Sequence, residues 1–340
     1  MMSETDETQQ LTIFITGAGQ GVGLAATTLA VRAGYKVIGT TDLGSTGAYR
    51  IRHAGGVPIY PDLTRESALY SALQMAKADV IIHAAPQRVN GIPQHTLDYD
   101  EAFTWLQAST DALMTAAGRA DIQRVIHISA ASIYGDTHHE AVKEDAHLDL
   151  SNALGKALLE AEETVLDGGV PAYILRAGHI VGTHQAGAEI AKALLAGKGM
   201  PSGKHATVWV HEDDVASAAL ILAERDDDSA SGSIYNIAGD ETPSPDEFMR
   251  QFGETYGTGA PGALADFLLQ LRTSPTQRAL MSFGTLVDTG KAREELGWQP
   301  QFTLAKALDK MLLLWTAEDA QVTVYHQEDE ADASAGIVKT

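Results

Sequence analysis

From Leu11 onward, short apolar runs alternate with longer stretches whose apolar positions recur at helical spacing. The runs LTIFIT (11–16), YKVIGT (35–40), ADVIIHAA (78–85), RVIHIS (124–129) and AYILRAG (172–178) are nearly continuous and rich in β-branched residues. Strands buried on both faces read this way. Between them, VGLAATTLAVRAG (22–34), ESALYSALQMA (66–76) and the segment 152–167 read as helices, the last closed by Gly168 and Gly169. The order predicts βαβ units and an α/β fold: a Rossmann-type, doubly wound parallel sheet over 11–178. After Gly178, stretches such as AGKGMPSGKH and GDETPSPDEF break the pattern. They predict a smaller, interleaved C-terminal substrate lobe over 179–210 and 240–316, with a segment near 211–239 returning to the first unit. Residues 1–10 and the polar tail 317–340, which contains HQEDEADASAG, are poor in core residues and expected to be flexible.

Composition narrows the function classes. With 340 residues, 44% of them hydrophobic, the chain is long enough to bury a sizeable core. A net charge of −21 opposes a surface that tracks phosphates, so neither nucleic acid nor an anionic membrane is expected as a partner. The absence of cysteine excludes disulfides, thiolate catalysis and cysteine-ligated zinc. MMSETDETQQ has no apolar targeting core, and no apolar run reaches the roughly 18 residues of a membrane span. A cytoplasmic protein is the expectation.

Candidate chemistry begins at LTIFITGAGQGVGLAATTLA, where glycines sit between a strand and a helix. Missing side chains there let backbone approach a pyrophosphate, and the helix N-terminus favours its charge. The spacing is not GxGxxG, since a start at Gly17 ends on Val22 and a start at Gly19 ends on Leu24. It is TGxxxGxG, carried by Thr16, Gly17, Gly21 and Gly23, with Gly19, Gln20 and Val22 completing the loop. Asp42 ends the second strand, near the offset at which an acid accepts the ribose hydroxyls of NAD. Its charge disfavours a 2′-phosphate, although Arg50 and Arg52 follow and leave NADP open. Asp42 also reads as an ordinary turn residue in TDLGSTG.

These residues resemble the extended branch of the short-chain dehydrogenase/reductase family, the NAD-dependent epimerases and dehydratases, over nearly the whole chain. TGAGQGVG resembles the phosphate loop, with the glycine spacing of shorter family members. PDLT is similar to the Asp-Leu pair at adenine, which implies Asp62 and Leu63; VIIHAA resembles the fourth-strand motif, which implies His83, Ala84 and Ala85 along the cofactor. HISAASIYG, LRAGHIVG, VWVHEDDVASA, SIYNIAGDE and DTGKAREELGWQP extend the resemblance toward the C-terminus.

The resemblance implies catalysis by Asn, Ser, Tyr and Lys, the tyrosine moving a proton while lysine holds the ribose and lowers the tyrosine pKa. Lys156 matches. The tyrosine position, four residues earlier in LSNALGKALL, holds Asn152, which also reads as the cap of the following helix. The serine position is Ala130, and the asparagine position falls on Leu106. An atypical member with a degenerate tetrad is therefore expected: an NAD(P)-binding protein acting as cofactor-dependent sensor, assembly subunit or atypical enzyme. The alternative is an active epimerase, dehydratase or reductase on a sugar nucleotide or related hydroxyl substrate, using Ser132, Tyr134 and Lys156. A structural protein without cofactor is disfavoured by the intact loop. Arg88, Tyr134, His179 and Arg278 are the candidate substrate contacts, Arg88 reading equally well as a surface residue; Thr207 stands where a diphosphate-binding arginine is expected, with Lys204 and His205 nearby. His138 and His139 read as solvated loop histidines, and no spacing predicts a metal site. The resemblance implies a homodimer through the helices over 98–118 and 152–167, although Leu154 and Leu158 could instead cover the sheet.

Overall fold

The computed structural model describes residues 10–43, 46–85, 99–182, 204–257 and 284–313. Its first half alternates β1 (Thr12–Thr16), α1 (Gly21–Arg32), β2 (Lys36–Thr40), α2 (Thr46–His53), β3 (Val57–Ile59), α3 (Glu66–Ala76), β4 (Val80–His83), α4 (Tyr99–Arg119) and β5 (Arg124–Ala130). A 3-10 turn (Ala131–Tyr134) leads to β6 (Ala141–Val142), α5 (Ala153–Leu166), β7 (Ala172–Ala177) and β8 (His179–Val181). The remainder holds β9 (Trp209–His211), α6 (Glu212–Ala223), β10 (Ile234–Ile237), α7 (Pro245–Tyr256), β11 (Leu286–Val287), α8 (Gly290–Leu296) and a helical segment over 304–313.

Seven strands form one sheet in the order β10-β7-β5-β4-β1-β2-β3, every pair parallel, as the alternation predicts. Both faces are covered. Ile13 and Ile15 of β1 pack with Ala25 and Ala26 of α1 and Val215 and Ala219 of α6. Phe14, between them, turns the other way, to Leu69 and Leu73 of α3, Leu113 of α4 and Val165 of α5. The period-two alternation of a strand thus fills two cores from one run of apolar residues. Burying a side chain such as Phe14 contributes about 2 kcal/mol.

Chain order reverses between β1 and β4, which lie side by side with Thr16 opposite His83. The crevice beyond the carboxyl ends of strands at such a reversal is where open α/β sheets take ligands. Two further clusters complete the core. One gathers Leu106, Ala130, Tyr134, Leu154 and Leu158; the other gathers Trp209, Phe248, Phe252, Leu304 and Leu308. Short parallel pairs, β6 with β11 and β8 with β9, connect distant segments. Leu154 and Leu158 are almost completely buried within the chain, on the face of α5 toward the Leu106 cluster. Among the described residues, no helix is long and apolar enough to cross a membrane.

Candidate functional site

The glycine loop is shaped by backbone contacts that exclude any side chain. Gly17 and Gly21 have left-handed φ values of +66° and +50°. A Cβ on Gly17 would lie 2.9 Å from the Ala85 Cα, and one on Gly19 2.6 Å from the Gly47 Cα. At Gly23 it would lie 2.2 Å from the Gly17 carbonyl oxygen. The loop is thereby folded onto the end of β4, the start of α2 and the first turn of α1. That first turn carries no acidic residue, and Gln20 at the N-cap makes no side-chain cap. A bare, positively polarised helix start beside close backbone fits a pyrophosphate. The Thr40 hydroxyl accepts the Gly17 N–H at 3.2 Å and ties the loop to β2.

The other predicted cofactor residues lie at or just beyond the carboxyl ends of β1 to β4, or in the first turn of α1. Thr16 and His83 close the ends of β1 and β4, with Ala84 and Ala85 buried beyond them and Val22 buried in α1. Asp42 is exposed just after β2. Asp62 is exposed ahead of α3, where its Oδ1 accepts from the Thr64 N–H at 3.0 Å and the Thr64 hydroxyl at 2.7 Å. Those hydrogen bonds hold its carboxyl below the usual range. Leu63 is half-buried against the α3 side of the core. Arg52 is exposed, and its guanidinium donates to the Tyr60 hydroxyl.

Asn152 is the N-cap of α5. Its Oδ1 accepts the Gly155 N–H at 2.9 Å, and its Nδ2 donates to the Asp149 carboxylate at 3.1 Å. Asp149 in turn packs against Gly135, and its carbonyl presses on Gly155, where a Cβ would lie only 2.0 Å from it. Both ends of the amide are therefore committed to starting the helix. Leu106 and Ala130 are buried together in the same apolar cluster as Tyr134. Lys156 is exposed one turn into α5, and Ser132 is half-buried in the 3-10 turn.

Tyr134 lies inside the protein. Its hydroxyl donates to Asn236 Oδ1 at 2.9 Å and accepts from Arg176 Nη1 at 2.8 Å. Burial raises its pKa, against the opposing pull of Arg176. Arg176 is paired with Glu162 through Nη2 at 2.6 Å, and the Ser129 hydroxyl donates to the same carboxylate at 2.5 Å. Asn236 continues the network, its N–H donating to Glu144 Oε1 at 2.8 Å. Sequence reasoning missed this clamp: Arg176 stood within LRAG, but nothing in the helical pattern marked Glu162 as its partner.

Of the candidate substrate contacts, Arg88 and Arg278 lie outside the described residues. His179, in β8, is packed against Trp209 at 5.4 Å between ring centroids, and burial lowers its pKa to about 4. Thr207 is fully buried, its hydroxyl donating to the Thr285 carbonyl at 3.4 Å. His138 and His139 are exposed and left-handed, with φ of 52° and 71°, and His139 stacks on the exposed His205. Among the described residues no three His, Asp or Glu side chains converge as a metal site would need.

The family model described as the NAD dependent epimerase/dehydratase family matches residues 13–238. A UDP-glucose 4-epimerase of Azospirillum brasilense is 22% identical over 330 residues, covering 89% of this chain and 91% of its own. Another, from Mycolicibacterium smegmatis, is 26% identical over 318 residues, covering 87% and 96%. Among solved structures, UDP-glucose-4-epimerase from Stenotrophomonas maltophila, with bound NAD and formylated UDP-arabinopyranose, superposes with a TM-score of 0.74 at 18% identity. That match covers 92% of this chain and all of the other.

Proposed function

The chain belongs to the NAD dependent epimerase/dehydratase family, and from that premise we propose that it holds NAD at the ends of β1, β2 and β4 without tyrosine-driven proton transfer. The cradle of Gly17, Gly19, Gly21 and Gly23 suits the pyrophosphate, Asp42 the adenosine ribose and Asp62 with Leu63 the adenine side. Thr16, His83, Ala84 and Ala85 form the wall, and Lys156 is left to bind the nicotinamide ribose. When bound, NAD supplies a hydride acceptor. The residues around it offer no proton carrier at the expected place.

The observation that carries this reading is Asn152, whose amide is hydrogen-bonded at both ends within the start of α5. An amide does not exchange a proton near neutral pH. Leu106 and Ala130, buried in one apolar cluster, bring no hydroxyl or amide to replace it. Cofactor occupancy itself is then the output, as in a sensor or an assembly subunit, and the α4 and α5 faces are the surfaces we assign to a homodimer.

A second reading is an active enzyme on a sugar nucleotide, favoured by the whole-length likeness to two UDP-glucose 4-epimerases. It would use Ser132, Tyr134 and Lys156. Titration with NADH and NADPH, followed by turnover assays with UDP-glucose and UDP-galactose, separates the two. Binding of NADH at micromolar concentration with no turnover supports the first reading. Turnover abolished by Tyr134→Phe in a folded protein overturns it in favour of the second.

A further inference from the structure

A directed chain of hydrogen bonds runs behind the glycine loop. The Ala85 N–H donates to Thr16 Oγ1 at 3.2 Å, and Thr16 Oγ1 lies 2.7 Å from His83 Nδ1. On the other side of the ring, His83 Nε2 lies 3.4 Å from Thr110 Oγ1, which donates to the Leu106 carbonyl at 2.8 Å. The far end decides the direction. The single hydroxyl proton of Thr110 is engaged by a carbonyl, which can only accept, so Thr110 can only accept from His83. Nε2 therefore carries a proton. His83 is fully enclosed and its pKa lies well below the ordinary value, through burial and then through His127, so the ring is neutral. Nδ1 is then bare, and it accepts from the Thr16 hydroxyl, whose other contact is the Ala85 N–H.

The chain joins three elements at the crevice, β1 through Thr16, β4 through His83 and α4 through Thr110, together with Ala85 just after β4. It sets the same backbone approach that shapes the loop, because Gly17 follows Thr16 and a Cβ there would strike Ala85. His127, opposite His83 on β5, closes the ring's surroundings at 5.2 Å between centroids.

We propose that His83, locked as the neutral Nε2–H tautomer between Thr16 and Thr110, is the positioning residue of the dinucleotide site. It orients the Thr16 hydroxyl, which holds Ala85 against Gly17 and so sets the depth of the pyrophosphate cradle. The inference rests on the reading that the chain holds NAD, and it adds to that reading the residue on which affinity depends.

The test uses the full chain, NADH fluorescence titration and nitrogen-15 NMR of labelled histidine. The wild type should show His83 as the Nε2–H tautomer at about pH 7. His83→Leu and Thr16→Val should each weaken NADH binding about tenfold, the value of one hydrogen bond of roughly 1.4 kcal/mol. The double variant should be no weaker than either single one, since both remove the same contact. His83→Asn, whose amide oxygen can accept from Thr16, and Thr16→Ser should stay within about threefold of wild type. Near-UV circular dichroism confirms that each variant is folded. A folded His83→Leu that binds NADH as tightly as wild type overturns the proposal, as do additive losses in the double variant. A Nδ1–H or doubly protonated ring overturns it independently of any ligand. Failure of the wild type to bind NADH overturns the cofactor reading instead, and the tautomer signal then still reports whether the relay exists.

Discussion

At the scale of single residues, Asn152 shows how one amide commits both of its ends to local structure, as the N-cap of α5. Ser, Thr, Asn and Asp are the residues whose side chains satisfy the open N–H groups of a helix start, and tyrosine is not among them. Asn152→Ala should therefore cost about 1 kcal/mol in urea unfolding, the usual loss for a removed N-cap. Asn152→Tyr should lose a similar amount and gain no turnover with UDP-glucose, because Leu106 and Ala130, buried in one apolar cluster, still bring no hydroxyl or amide. Appearance of turnover in that variant alone would show that the remaining groups suffice. A second expectation concerns Gly23, where a Cβ would lie 2.2 Å from the Gly17 carbonyl. Gly23→Ala should abolish measurable NADH binding in a titration, even where the melting curve shows a folded protein. The tight glycine turn between β1 and α1 and the cap of α5 were legible in the sequence, because spacing and residue type point to such geometry directly. Thr40, Thr110 and Gly47 were not, because their contacts come from elements brought together only by the fold.

At the scale of elements, the Arg176–Glu162 clamp joins β7 to α5 and, through Tyr134 and Asn236, to the 3-10 turn and β10. Both ionic side chains are almost fully buried, at 3% and 1% exposure. A pair of this kind is held by its hydrogen bonds, and its removal one partner at a time leaves a buried charge. Arg176→Met should destabilise the protein by about 3–5 kcal/mol, while Arg176→Met with Glu162→Leu should recover most of that loss. Urea denaturation midpoints of the two variants decide the point; equal losses would mean that Glu162 finds another partner. Most strands and helices of the sheet were readable because they are continuous apolar runs or have helical spacing. β3 was not: its VPI holds a proline, which central strands exclude, and the structure places it at the sheet edge where a missing N–H is tolerated. The short pairs β6–β11 and β8–β9 were equally hidden, each having only two or three residues and a partner far along the chain.

For the whole molecule, the same buried polar layer makes stability depend on acidity. His127 lies in the middle of the sheet, fully enclosed, with neither ring nitrogen hydrogen-bonded among the described residues. Loss of hydration lowers its pKa from 6.5 to about 3. Below about pH 6.5 the unfolded chain takes up a proton that the folded chain refuses, so the folded state is fully favoured above that value and loses ground as pH falls toward 3. The slope approaches about 1.4 kcal/mol per pH unit for one such group. His83, beside it on the neighbouring strand, and His179, with a pKa of about 4, act in the same direction. Asp62 and Asp149, whose carboxyls are held below their ordinary range by hydrogen bonds, add to the loss only at the acid end of the window. Unfolding monitored between about pH 7 and pH 4 should therefore show a steady fall in urea midpoint. His127→Phe keeps an aromatic ring of similar reach and removes two unpaired polar atoms, so it should raise the midpoint at pH near 7 by the equivalent of about 1–3 kcal/mol. It should also flatten the pH dependence by about one proton's slope. A variant as acid-sensitive as the wild type would mean that His127 is protonated in the folded protein, and that His83 does not sit beside a neutral ring.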